Sequence, residues 1–111
     1  MPGAMSIWEH DPYEAVVAEL CADPAVRRAR MMGMPSVTRA GKMFAGLWHG
    51  ELVVKLGSGR VDELVESARA ERFDPIGGRP MKDWAAVPEP VDDWLSLAEE
   101  ARELLAASQT G

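Results

Sequence analysis

Four cations stand where they could bind something. Arg79 follows Gly77-Gly78 and precedes Pro80, and Lys82 comes two residues after that proline. A glycine turn running into Arg-Pro reads as a loop that displays a guanidinium, the planar donor best suited to carboxylates and phosphates. Lys42 and Lys55 sit in strand-like runs upstream. Arg79, Lys82, Lys42 and Lys55 are therefore the candidate contacts for an anion or an acidic segment of a partner. A structural role competes for Arg79: it can pin its own loop by bonding carbonyls or a carboxylate such as Asp74.

Other chemistry is poorly supported. Gly57-Ser58-Gly59 before a helix resembles a phosphate loop, but a dinucleotide fingerprint needs glycine where Asp62 stands, and Asp62 and Glu63 would repel a phosphate there. Gly41-Lys42 is followed by Met43, not by the Ser or Thr of a nucleotide-binding loop. Met31, Met32 and Met34 could offer soft sulfur to Cu(I), but packing accounts for them better. His10, His49 and Cys21 show no zinc spacing, and Cys21 lies near the apolar side of a helix, as an inert thiol does. No nucleophile–base pair can be assembled. The chain reads as non-enzymatic, with no catalytic, metal or cofactor residue to assign.

The net charge of −6 is unevenly spread. Residues 1–25 hold five acidic groups and no basic one, residues 26–60 seven basic against Glu51 alone, and residues 61–111 twelve acidic against five basic. An acidic chain suits phosphate backbones poorly, so nucleic acid is an unfavoured partner, although the basic segment 26–60 keeps an anionic ligand in play. No apolar run is long enough to span a bilayer. One cysteine among 111 residues points to a reducing cytoplasm. Residues 1–10 read as a flexible N-terminus with Met5 the natural start, 11–107 as a single domain, and 108–111 as a frayed tail.

Positioning those cations requires a sheet. Asp11-Pro12-Tyr13-Glu14 has the residues of a helix start, with Val16, Val17 and Leu20 following at helical spacing until Asp23-Pro24. From Val26 to Leu56 the pattern is strand and turn, with hairpin breaks at Ala40-Gly41 and His49-Gly50. Strict alternation puts Met43, Ala45 and Leu47 on one face and Phe44 and Trp48 on the other, joined there by Val53. Phe44, Trp48 and Val53 are thus the candidate interface. Val61, Leu64, Val65 and Ala68 form a helical stripe, and Phe73–Ile76 and Trp84–Val87 read as strands, with Trp84 buried. A last helix carries Trp94, Leu97, Ala98, Ala101, Leu104 and Leu105 on one face. The expected fold is α+β in the order α-β-β-β-α-β-β-α, a mostly antiparallel five-stranded sheet packed with helices.

Several motifs in order resemble one family. Arg30-Met31-Met32-Gly33-Met34-Pro35, Gly41-Lys42-Met43-Phe44-Ala45-Gly46-Leu47-Trp48, Phe73-Asp74-Pro75, Gly78-Arg79-Pro80-Met81-Lys82-Asp83-Trp84 and Val87-Pro88 look like the N-terminal domain of the TfoX/Sxy proteins. The resemblance covers residues 13–106. It implies an α+β fold of the same element order, secretion-chaperone-like and akin to YjbR-type proteins, and it supplies no catalytic residue. Competence regulators of that family carry a second, C-terminal domain that has no counterpart in these 111 residues. The expectation is a small bacterial cytoplasmic protein acting through an unidentified protein partner, a homodimer among the possibilities. The alternative is a binder of a small anion or nucleic acid through segment 26–60.

Overall fold

In the computed structural model, residues 11–31, 33–88 and 93–110 are described. The elements are α1 (Asp11–Leu20), β1 (Val26–Met31), β2 (Met34–Arg39), β3 (Lys42–Trp48), β4 (Glu51–Lys55), α2 (Ser58–Glu66), β5 (Glu71–Phe73), β6 (Met81–Val87) and α3 (Trp94–Thr110). The fold is α+β, as expected. Among the described residues the sheet has six strands rather than five, because four of them precede α2. Strand order is β1-β2-β3-β4-β6-β5, and every pairing is antiparallel.

The β2–β3 and β3–β4 hairpins turn where the sequence places them. Ala40-Gly41 and His49-Gly50 all have positive φ, between 50° and 86°. Left-handed conformations at both central positions give the turn whose twist matches that of the flanking strands. Glycine adopts this conformation without strain, and its presence at the second position of each turn fixes the break.

Strict alternation fails at one point, with consequences for the whole molecule. Val37 pairs with Ala45 but Thr38 pairs with Met43, so Phe44 is an extra residue in β3. This bulge switches the face on which the following side chains emerge. Phe44 joins Ala45 and Leu47 on the helix-covered side, packed with Val37, Leu52 and Val54. Met43 and Trp48 emerge on the opposite side. The expected grouping of Phe44 with Trp48 and Val53 is therefore wrong, since period-2 reasoning cannot see an inserted residue.

All three helices lie against one face. Tyr13, Val16, Val17 and Leu20 of α1, Val61 and Leu64 of α2, and Trp94, Leu97, Ala98 and Ala101 of α3 close over the sheet in one core. Trp94 is fully buried and its indole Nε1 donates to the Pro88 carbonyl at 3.4 Å. Burial drives the Tyr13 phenol well above its ordinary pKa, with the neighbouring Glu14 adding to the effect and Arg28 opposing it.

Some boundaries differ from the sequence reading. α2 stops at Glu66, and Ala68 adopts φ 62° outside the helix. β5 ends at Phe73, leaving Ile76 76% exposed in the following loop. The expected frayed tail at Ser108 is helix as far as Thr110, because Gln109 is tied to the sheet: its Oε1 accepts from Arg39 Nη1 at 2.7 Å and its Nε2 donates to the Arg39 carbonyl at 3.0 Å. The expected flexible segment 1–10 lies outside the described residues.

Candidate functional site

The second face of the sheet carries no helix among the described residues. Its floor is Met34, Val53, Phe73 and Ala86, all buried, with half-buried Met43, Trp48, Met81 and Trp84 lying over them. Met31 extends the surface along β1 and is 38% exposed. Methionine is flexible and polarizable, and tryptophan is broad and amphipathic, so this composition suits a contact surface. Gly46 leaves room for the methyl groups of Met43 and Met34. A Cβ there would come within 2.9 Å of both Met43 Cε and the Pro35 carbonyl oxygen.

Trp48 is held on two sides. Its ring stacks on His49 at 4.6 Å and meets Phe73 edge-on at 5.9 Å. Beside it lies a cavity of about 220 Å³ bordered by Trp48, Phe73, Glu51, Glu71 and Asp74. Burial raises the Glu51 pKa, Glu71 raises it further by repulsion, and His49 acts in the opposite direction.

The Gly77–Arg79 loop is pinned, though not by the guanidinium. The Asp74 carboxylate accepts from the backbone amides of Gly77 and Gly78 at 2.8 Å and of Arg79 at 3.2 Å. Those amides hold the carboxyl below its usual pKa, the Gly78 bond most strongly. This local cap leaves Arg79 exposed.

The predicted cations are all exposed, but they do not form one seat. Lys42 pairs across the hairpin with Arg39, whose side chain reaches Asp23 and Gln109 on the helix side. Lys55 pairs with Trp84 and so falls on the open side, at the same end of the sheet as Lys82 and Arg79. Asp83 lies among them, and its carbonyl accepts from the amides of Leu56 and Gly57. Much of the remaining basic segment is occupied internally. Arg28 meets Glu14 at 2.8 Å, Arg39 meets Asp23 at 3.3 Å, and Arg60 meets Glu100 at 2.9 Å. Three arginines of the basic segment are thus paired with acidic groups from the flanking parts of the chain: Arg28 of β1 with α1, Arg39 of β2 with the turn after α1, and Arg60 of α2 with α3.

Of the predicted interface residues, only Trp48 presents accessible surface on the open face. Phe44 is 1% exposed beneath the helices and Val53 is fully covered by its neighbours. Met43, Met81 and Trp84 belong to the surface and were missed. The signal for them was the pairing register, since Lys55 opposite Trp84 and Val53 opposite Ala86 carry the face across to β6. A further open groove of about 270 Å³ runs between α3 and the sheet, lined by Phe44, Leu56, Ala101, Leu104 and Leu105. Among the described residues, no group of three or more acidic, histidine or cysteine side chains is placed to hold a metal ion. No family model, curated protein or solved structure matches this chain.

Proposed function

We propose that this chain is a small non-enzymatic contact protein of the TfoX N-terminal-domain type, and that its open sheet face joins a second copy of itself. The reading takes from the family resemblance a bacterial origin and a secretion-chaperone-like fold, and from the single cysteine a reducing cytoplasm. No helix among the described residues is long and apolar enough to cross a membrane.

One observation carries the reading: a single-layer sheet has three helices on one face and a methionine–tryptophan surface on the other. An apolar sheet face of this kind gains free energy when it is covered. Its charges favour a second copy as the cover. Lys55 and Glu51 lie at opposite ends of β4, both on the open side. A two-fold axis running across the strands sets Lys55 of one copy over Glu51 of the other, twice. Lys55 would then offset the repulsion that Glu51 suffers from Glu71. A small-anion or nucleic-acid role has less support, because Arg28, Arg39 and Arg60 already bond acidic groups within the chain.

Sedimentation equilibrium tests the proposal. The chain is expected to dimerise at micromolar concentration, Lys55→Glu to dissociate it, and the swap Lys55→Glu with Glu51→Lys to restore it. A monomer at all concentrations, or a dimer indifferent to Lys55→Glu, would overturn it.

A further inference from the structure

A different surface, the outer edge of the sheet, also has the features of a binding site. β1 is the first strand in the sheet order and, among the described residues, has a neighbouring strand on one side only. The direction of its backbone groups can be worked out. Ala40 N donates to the Ala25 carbonyl at 3.0 Å, one position beyond the Val26–Arg39 pair. In an antiparallel ladder, bonded pairs alternate with unbonded ones. Arg27, Ala29 and Met31 therefore bond to β2, while the N–H and C=O groups of Arg28 and Arg30 point away from the sheet. Pro35, opposite Arg30, is consistent with this parity, since that position needs no N–H towards β1.

The side chains select what could add there. β1 reads Val-Arg-Arg-Ala-Arg-Met. Arg28 is already paired with Glu14. Arg27 and Arg30 are exposed, make no ion pair among the described residues, and emerge on opposite faces of the strand. Any two-fold pairing of β1 with itself, centred anywhere from Arg27 to Ala29, sets arginine opposite arginine. Like charges directly opposite are destabilising, so this edge resists a second copy of itself.

We propose that β1 takes up an extended acidic segment of another protein, as an added strand. The segment carries carboxylates at positions i and i+3, opposite Arg27 and Arg30, and bonds to the outward backbone groups of Arg28 and Arg30. Main-chain bonds supply the docking and the two arginines supply the selection. The site is separate from the face proposed for self-association, so either proposal can fail while the other stands.

The test is an NMR titration of the full chain with the capped peptide Thr-Glu-Val-Thr-Glu-Val, alongside the same peptide with lysine in place of glutamate. The glutamate peptide is expected to bind and to slow hydrogen exchange at the Arg28 and Arg30 amides, leaving Arg27 and Ala29 unchanged. Arg27→Gln with Arg30→Gln should weaken it about tenfold. Arg30→Pro removes an outward N–H that the β1–β2 ladder does not use, so it should abolish binding while leaving the melting temperature close to that of Arg30→Gln. Equal binding of the lysine peptide, no binding of the glutamate peptide, or binding without protection of the Arg28 and Arg30 amides would each overturn the proposal. The exchange measurement on the unsubstituted chain decides the matter even if the proline variant does not fold.

Discussion

The two faces of this sheet share the same strands but have different chemistry. The helix-side face is built from valine, leucine, alanine and one bulged phenylalanine, closed by buried side chains from three helices. The open face is built from methionine and tryptophan over a floor of four buried residues. Branched aliphatic side chains lock into one packing, which suits a permanent core. Unbranched methionine and broad tryptophan tolerate repacking, which suits a surface that is covered only part of the time. The difference separates what holds the fold together from what the fold presents.

The largest expected effect contrasts two tryptophans. Trp94 is fully buried under the helices, so Trp94→Ala should cost about 3–5 kcal/mol in denaturant unfolding. Trp84, expected to be buried from sequence, is only half-buried on the open face, and Trp84→Ala should cost about 1–2 kcal/mol while weakening self-association. Equal losses would mean that the open face is a second core and not a surface.

Gly46→Ala probes how tightly the open face is laid. Its Cβ would press on the methyl of Met43, which can swing away, and on the Pro35 carbonyl, which cannot. A loss of about 1–3 kcal/mol is expected, measured by thermal or chemical melting. A neutral outcome would show that β2 and β3 separate there without resistance.

Glu51→Gln should have the smallest effect and the clearest pH dependence. The folded-state pKa of Glu51 is raised, so its contribution is most favourable below the unfolded pKa and is lost as pH rises through the folded value. In melts of the dilute monomer, Glu51→Gln should be slightly the more stable form at neutral pH, and that advantage should vanish in acid. An advantage that grows in acid would show the sign to be wrong. Asp74 runs the other way: its depressed pKa makes its loop cap strongest above the carboxylate range and weaker as pH falls through the folded value.

Much of the fold was legible in the sequence, and particular residues show why. Ala40-Gly41 and His49-Gly50 mark their turns through backbone conformations that few residues adopt, and that information is local. The helical stripe at Val61 and Leu64 is local too. Phe44 was misplaced because a bulge depends on how two strands meet, here Val37 on Ala45 and Thr38 on Met43. The end of α3 was misjudged because Gln109 is held by Arg39, 70 positions away. For the candidate site, Trp48 was found, but Met43, Met81 and Trp84 emerged only from the register between β4 and β6 and from the bulge.

The sequence alone determined the element types, the antiparallel hairpins and the alternation of charge between a basic middle and acidic flanks, because each is encoded within a few neighbouring residues. Tertiary structure decided which sheet face the three helices cover, which arginines were paired internally and which strands end the sheet order. These outcomes depend on contacts between distant segments, whose geometry no short window of residues contains.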